Sequence, residues 1–200
     1  MVPASTSATP STRMSAEARR ELILAAATRA FAEQGYAATT TDTVARLADV
    51  SQPYVVRMFG TKLQLFVEVF RRATGRIIDA FERELDAQPF DPDQPDDWTR
   101  LGQAYRALAE DRDFLLVMMH GFTSAGVEEI GRAAREGMGR IFALLQRTGG
   151  TEDQLRVFIA HGMLVNVLVA MRAPEHLAEG GPLAELAACA FQDYRLPTTD

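Results

Sequence analysis

Lysine is nearly absent from this sequence of 200 residues, since Lys62 is the only one and arginine supplies the remaining positive charge. Cysteine is equally scarce: Cys189 stands alone, which excludes an internal disulfide and favours a reducing compartment. Residues 1–15 contain no apolar segment and do not form a signal peptide. The longest apolar run, residues 157–171, contains a histidine and an asparagine and is too short to span a membrane. We therefore expect a cytoplasmic protein with no membrane contact.

Catalytic and metal-binding motifs are also missing from the sequence. The three histidines, His120, His161 and His176, are scattered, and none has a second ligand at the spacing that a helical metal site uses. The chain has no Gly-x-Ser-x-Gly motif and no phosphate-binding loop. These absences predict that the chain is not an enzyme and that it carries no cofactor and no metal.

The net charge of −6 is distributed unevenly along the chain. Residues 1–72 contain nine Arg or Lys against six Asp or Glu, a balance of +3, whereas residues 73–200 contain twelve against twenty-one, a balance of −9. A basic N-terminal part followed by an acidic remainder is typical of a protein in which one end alone contacts phosphates.

Apolar residues recur at helical spacing along most of the chain, and this periodicity predicts an all-α protein. Residues 86–97, with three prolines among five aspartates, are expected to form a loop. The predicted helices outside the region of residues 40–62 cover residues 16–34, 61–85, 112–122, 127–146 and 155–173, with two more around residues 98–108 and from residue 182 onward.

Residues 40–62 are predicted to form two short helices joined by a tight turn. Val44 and Ala48 mark the inner face of the first helix, and Val55 and Phe59 mark that of the second. The second helix would then expose Gln52, Tyr54 and Arg57, which are side chains that a DNA major groove can accept. An ordinary helical hairpin has the same apolar spacing, and this alternative stays open on the spacing alone.

A longer pattern surrounds this hairpin, and its order is specific. Its residues are Ile23, Ala27, Phe31, Gly35, Tyr36, Thr39, Thr40, Val44, Ala45, Ala48, Val50, Ser51, Phe59, Lys62, Leu65 and Phe66. The pattern resembles the DNA-binding domain of TetR-family transcriptional regulators over residues 19–66, without an insertion. The resemblance implies a three-helix head with a helix-turn-helix, an all-α body that dimerises and binds a small molecule, and release of the operator when that ligand binds.

The resemblance also predicts which residues contact DNA. Lys62 and the first amides of the long helix would hold a phosphate together. Four positions depart from the common pattern. Asp49 replaces a glycine in the turn and is expected to adopt the left-handed conformation there. Pro53 replaces a small residue, and Val56 and Met58 replace aromatic or histidine side chains. The candidate DNA-binding residues are Thr40, Thr41, Gln52, Pro53, Tyr54, Arg57, Thr61 and Lys62.

Methionine and phenylalanine at helical spacing in the body are consistent either with ordinary core or with the soft wall of a ligand pocket. Five helix-region glycines, at residues 121, 126, 131, 137 and 139, favour loose packing and a cavity. His161 has a second interpretation, as a hydrogen-bonded polar residue of the core. The candidate ligand-binding residues are Trp98, Tyr105, Met118, Phe122, Met138, Phe142 and His161.

Thr151 and Gln154 predict a capping box at the start of the helix over residues 155–173. This helix and the last one have more apolar surface than one subunit can cover. Two such helices from each of two subunits would form a four-helix interface about a two-fold axis. Asn166 could set the register across it. The candidate interface residues are Phe158, Val165, Asn166, Val169, Leu183, Leu186 and Phe191.

These patterns together predict four segments: a disordered arm over residues 1–14, a helix-turn-helix head over residues 15–61, a ligand-binding and dimerisation body over residues 62–193, and a tail over residues 194–200. The predicted function is that of a homodimeric transcriptional regulator, a repressor released from a palindromic DNA operator by a small apolar effector. The alternative is an all-α small-molecule binding or enzymatic module that has lost DNA reading.

Overall fold

The computed structural model describes residues 15–191, so the predicted arm of residues 1–14 and the tail of residues 194–200 lie outside the described residues. Within residues 15–191 the protein is entirely helical, which confirms the all-α prediction. Two short 3-10 helices, Gln146–Thr148 and Ala173–Glu179, accompany the α-helices. The α-helices of the described residues are α1 Ala16–Ala38, α2 Thr41–Leu47, α3 Gln52–Phe59, α4 Lys62–Ala87, α5 Pro95–Ala109, α6 Arg112–Thr123, α7 Glu128–Leu145, α8 Glu152–Ala170 and α9 Pro182–Phe191.

Helices α1 to α3 form a small head that packs on the first turns of α4. Ile23, Ala27 and Phe31 form the buried stripe of α1, and the Phe31 ring meets the edge of Phe66 from α4 with a centroid separation of 4.9 Å. The regular conformation of α1 breaks at Gly35, whose φ of 70° is one that glycine adopts without steric cost. This is where the sequence predicted an end, although three more residues continue the helix.

The turn between α2 and α3 depends on Asp49, which has a φ of 51°. The expectation that Asp49 replaces glycine by adopting a left-handed conformation is therefore confirmed. Val50 lies half-buried under the turn, and its amide donates a hydrogen bond to the carbonyl of Ala45 at 3.0 Å. Pro53 lies in the first turn of α3, where its missing N–H leaves no intrahelical bond unmade.

Helix α4 connects the head to the body. It begins with a capping box, in which the Gln64 amide donates to Thr61 Oγ1 at 3.2 Å and the Thr61 amide donates to Gln64 Oε1 at 2.8 Å. Its buried side then runs from Leu65 to Phe81 through both parts of the molecule. The body is built around this helix by α5, α6, α7 and α8.

Helix α8 begins at the capping box that the sequence predicted at Thr151 and Gln154, and this prediction is confirmed. Among the described residues α8 is long and apolar enough to cross a membrane by length and composition, a property that core helices of soluble proteins share. Its inner side supplies buried Leu155, Phe158 and Val165 to the core. Helix α9 packs against α8 and the 3-10 helix Ala173–Glu179 through a separate small cluster that includes Leu168 and Ala187.

Candidate nucleic-acid interface and ligand cavity

The outer surface of α3 presents polar side chains from a helix that is fixed from behind. Val55 and Phe59 are buried against the head, whereas Gln52 and Arg57 are exposed, as the sequence predicted. Pro53 is exposed beside them, but Tyr54, which was also predicted to be exposed, is half-buried. Gln52 Nε2 donates a hydrogen bond to Thr41 Oγ1 at 3.1 Å, so α2 also holds the first turn of α3. The arrangement leaves α3 free to enter a groove while α2 fixes its orientation.

Tyr54, half-buried at the side of α3, has two arginines over its ring. The guanidinium carbon of Arg57 lies 4.9 Å from the ring centroid, and that of Arg19 in α1 lies 5.6 Å from it. Neither arginine forms an ion pair with any residue in the described range 15–191, so both charges are available to phosphates or base edges. The other head arginines are paired: Arg20 with Glu68, Arg29 with Glu33, Arg46 with Asp42 and Arg72 with Glu21.

The remaining candidate DNA-binding residues have structural partners of their own. Thr40 caps α2 by accepting a hydrogen bond from the Thr43 amide at 3.0 Å, and Thr61 belongs to the capping box of α4. Lys62 Nζ donates to the carbonyls of Tyr36 and Ala37 at 2.9 and 3.1 Å. The ammonium group of Lys62 therefore anchors the end of α1, and one of its three donors is left for the predicted phosphate contact.

Two of the positions that depart from the family pattern differ in exposure. Val56 is 41% exposed on α3, whereas Met58 is half-buried and packs against the core. The apolar surface at Val56 suits contact with a thymine methyl group more than contact with a phosphate.

A cavity of about 70 Å³ lies in the body between α4, α5, α6, α7 and α8. One water molecule needs roughly 10–15 Å³ of such volume, so the cavity is larger than the space that a single water molecule needs. Its wall is mainly apolar, with Ile77 and Phe81 from α4. Of the predicted ligand-binding residues, the structure places these around it: Tyr105, Met118, Phe122, Met138 and His161.

Two predicted ligand-binding residues lie elsewhere. Trp98 is fully buried between Phe90 and Phe158, and its Nε1 donates to the carbonyl of Pro92 at 2.9 Å, so it is a core residue of the body. Phe142 is 38% exposed and lines an open surface groove instead of the cavity. Helical periodicity marked both as apolar positions but did not show which side faces the cavity.

Three residues predicted at the dimer interface instead line this cavity. Phe158, Val165 and Asn166 face inward from α8, where each is less than one-tenth exposed. The Tyr105 hydroxyl donates to Asn166 Oδ1 at 2.5 Å, and burial raises the pKa of Tyr105 to about 12. Those three side chains are therefore not part of the proposed interface. The error arose because α8 is apolar on nearly all sides, so its sequence does not distinguish its two faces.

Two basic residues also line the cavity. Arg106, which the sequence analysis did not single out, donates from Nη1 to the carbonyl of Phe191 at 2.8 Å and so binds the last turn of α9. Burial lowers the pKa of His161, the positive charge of Arg106 lowers it further, and a hydrogen bond with the backbone of Ala190 opposes both effects. These contacts join the cavity wall to α9.

The glycines that suggested a cavity have other roles. A Cβ atom at Gly121 would lie 2.1 Å from Phe70 Cε2, and one at Gly137 would lie 3.0 Å from Thr74 Cγ2, so both permit close approach to α4. Gly126, Gly131 and Gly139 do not line the cavity either, and this corrects the interpretation. The glycines that do are Gly102 and Gly162.

Helix α6 contacts both the cavity and the head. Met118 and Phe122 line the cavity, while His120 between them turns towards α1. Its Nε2 lies 3.3 Å from the carbonyl oxygen of Ala32, and its ring covers Gly35, where a Cβ atom would lie 3.1 Å from Cε1. Helices α1 and α6 therefore pack closely along one another.

Residues 15–191 contain no group of three or more His, Cys, Asp or Glu side chains that could hold a metal ion. The fold and this surface instead define a class: a helix-turn-helix DNA-binding protein whose helical body contains a small, mainly apolar cavity.

Comparison with known proteins agrees with this class. Residues 23–69 match the sequence model described as "Bacterial regulatory proteins, tetR family". The HTH-type transcriptional regulator YhgD of Bacillus subtilis is 48% identical over 52 residues, which are 26% of this chain and 27% of that protein. The HTH-type transcriptional activator FasR of Mycolicibacterium smegmatis is 32% identical over 73 residues, 36% of this chain and 33% of that protein. The matches thus span about a quarter to a third of these relatives.

Solved structures extend the likeness to the body as a matter of fold. A TetR-like transcriptional regulator from Rhodococcus sp. RHA1 covers 89% of this chain and 94% of its own, with a TM-score of 0.61 and 19% identity. The regulator FadR of Bacillus subtilis, solved with stearoyl-CoA, covers 86% and 95%, with a TM-score of 0.63 and 16% identity. Residues 23–69 thus match the sequence of a TetR-family DNA-binding domain, and the whole described chain shares the fold of solved TetR-like regulators.

Proposed function

We propose that this regulator acts as a homodimeric repressor, which binds a near-palindromic operator through α3 and releases it when a small, mostly apolar ligand fills the cavity. The observation that carries ligand control is the position of α6, since one helix forms part of the cavity wall and packs along α1 of the head. A ligand that moves Met118 or Phe122 would shift His120 against Gly35 and thereby reorient α3.

DNA reading is assigned to the exposed side of α3. Arg57 has a guanidinium without an ion-pair partner in the described chain, and a guanidinium pairs bidentately with the O6 and N7 atoms of guanine. Gln52 can accept and donate at the neighbouring base edge, while its bond to Thr41 fixes its direction. Contacts with phosphates on either side are assigned to Arg19 and to the hydroxyl groups of Thr40, Thr41 and Thr61.

The proposed dimer interface uses the outer surfaces of α8 and α9. Leu183 and Leu186 are 46% and 45% exposed on α9, and Val167 and Met171 are 42% and 55% exposed in and just after α8. Val169 and Phe191 are half-buried at the edges of this surface. A second copy that covers these side chains in a four-helix arrangement places two α3 helices about one DNA turn, or a multiple of it, apart.

The relatives support parts of this proposal and test others. FadR of Bacillus subtilis holds stearoyl-CoA in a similar fold, which supports an apolar effector here. FasR is an activator, so the direction of control needs its own measurement. Transcription from promoters that this protein occupies should rise when its gene is deleted; a fall would show an activator.

Selection of bound duplexes from a random DNA library tests the operator. The expected result is a two-fold symmetric sequence that binds at moderate salt far more tightly than unrelated DNA. Failure to enrich any sequence at low and moderate salt would refute DNA reading and leave a small-molecule binding module with an inactive head.

The variant Arg57→Ala tests the base contact. We expect a loss of about 1–3 kcal/mol in discrimination at one base pair of each half-site, because one bidentate pair disappears. Fluorescence anisotropy with the selected duplex and single-base variants measures this loss. Arg29→Ala is the matched control, since Arg29 is an exposed head arginine paired with Glu33. An equal weakening on every sequence would identify Arg57 as a phosphate contact instead.

A further inference from the structure

The cavity contains one buried polar pair, and one member of that pair is incompletely hydrogen-bonded. Asn166 is 3% exposed, and its Oδ1 accepts the hydrogen bond from the Tyr105 hydroxyl. The sole partner of its Nδ2 group among the described residues is the sulfur of Met163 at 3.7 Å. An amide nitrogen has two donors and a thioether is a weak acceptor, so at least one strong donor has no adequate acceptor.

Such an arrangement is unusual because buried polar groups are nearly always hydrogen-bonded, and an exception calls for an explanation. Asn166 and Tyr105 both line the cavity, so the donor lies at the wall of a mainly apolar space. Small-molecule sites commonly combine an apolar wall with a few fixed polar groups that orient the ligand. The bond from Tyr105 fixes the side-chain amide and leaves Nδ2 as the group that a ligand can meet.

The charges around the cavity favour a neutral ligand over an anionic one. The guanidinium of Arg106 already binds the carbonyl of Phe191 at the end of α9. His161 is partly buried, and its lowered pKa favours the uncharged imidazole. A carboxylate placed beside Asn166 would lose its hydration, which is costly, and the guanidinium of Arg106 on the same wall already has protein partners.

We propose that the cavity binds a compact, neutral, mostly apolar molecule through one carbonyl oxygen, which accepts a hydrogen bond from Asn166 Nδ2. Tyr105 positions the amide, and Met118, Phe122 and Met138 enclose the apolar part. The chemical class of the effector follows from the cavity itself. Only the regulatory consequence of its binding rests on the proposed function.

Three probes of similar shape and equal numbers of non-hydrogen atoms test the proposal: acetophenone, cumene and benzoate. They differ in offering a neutral carbonyl, no polar atom and a carboxylate. Binding is measured by NMR titration and calorimetry on the full-length protein without DNA. We expect acetophenone to bind about tenfold more tightly than cumene, as one added hydrogen bond allows, and more tightly than benzoate. Tightest binding of benzoate, equal binding of all three, or no binding near their solubility limits would overturn the proposal.

Two variants assign the preference to the polar pair. In Asn166→Leu the acetophenone preference should disappear, while cumene binds as well as before. Because this change leaves the Tyr105 hydroxyl without its acceptor, the double variant Tyr105→Phe with Asn166→Leu removes both polar groups and protects the fold. Far-ultraviolet circular dichroism and thermal unfolding confirm folding in each case. Retention of the preference in the folded double variant would refute the role of Asn166.

The outcome is separable from the operator proposal. These titrations contain no DNA, so failure of operator binding leaves their result unaffected. Conversely, a protein that binds its operator and is released by some other ligand, yet shows no carbonyl preference, would keep the proposed function and lose this inference.

Discussion

Single side chains in the body have properties that depend on the direction in which they point. His161 is the clearest case, because burial and the charge of Arg106 lower its pKa from the ordinary value of 6.5. The folded state therefore favours the neutral imidazole, and the unfolded state binds the proton more tightly. The stabilising contribution is present above about pH 6.5 and is lost as the pH falls towards the lower pKa of the folded state.

This gives a test by chemical denaturation between pH 7 and about pH 5. The free energy of unfolding of the wild type should fall with pH more steeply than that of His161→Gln, which cannot take up this proton. Equal slopes for the wild type and His161→Gln would contradict the expectation.

At the scale of single residues, the sequence predicted which side chains of α3 are exposed better than it predicted the tertiary contacts of the head. The short amphipathic helix α3 has one apolar side, so the exposure of Gln52 and Arg57 followed from Val55 and Phe59. The position of Arg19 over Tyr54 did not follow, because it depends on how α1 crosses α3. Lys62 shows the same limit: its position at the start of α4 was predictable, but its bonds to Tyr36 and Ala37 require the tertiary structure.

Among the helices, the packing of α6 on α4 depends on a missing side chain. Gly121→Ala would place a methyl group within 2.1 Å of the Phe70 ring, so we expect a loss of about 1–3 kcal/mol in the free energy of unfolding. Gly139→Ala is the matched control: no heavy atom lies within 4 Å of its added Cβ, and alanine favours a helix by about 0.8–1 kcal/mol. Urea denaturation measures both; a stabilised Gly121→Ala would show that α6 shifts freely.

Helix positions were predictable wherever a cap or a loop signal accompanied the periodicity. The start of α8 followed from Thr151 and Gln154, and the loop before α5 followed from its prolines. What the sequence could not show was the orientation of α8, since both of its faces are apolar. Asn166 therefore could be assigned equally to an interface or to a cavity, and α5, through Tyr105, decides between them.

At the scale of the whole molecule, the exposed leucines of α9 predict that two copies of the protein form a dimer through this helix. The double variant Leu183→Glu with Leu186→Glu should convert a dimer of about twice 22.0 kDa into a monomer, because buried carboxylates would face each other across the two-fold axis. Light scattering after size exclusion measures the mass. Leu22→Glu, at a head leucine with 41% exposure, should remain dimeric. A monomeric wild type, or an unchanged mass in the double variant, would refute the interface.

Operator affinity should fall in the same double variant, since two half-sites would no longer be bound together. The overall prediction of an all-α regulator was accessible from the sequence because the head follows a family pattern over residues 23–69. The ligand chemistry was not accessible, because it depends on side chains from five helices that meet only in the folded chain.

Helix α6 borders the cavity on one side and α1 on the other. Any effect that ligand binding has on DNA binding through this helix must therefore be reciprocal. If a bound ligand lowers the affinity for DNA by some factor, bound DNA must lower the affinity for that ligand by the same factor. Protein bound to the operators of a promoter would thus bind the ligand only at higher ligand concentrations than protein that is free in solution. The ligand concentration needed for a response would then depend on the number of operators in the genome as well as on the affinity of the cavity.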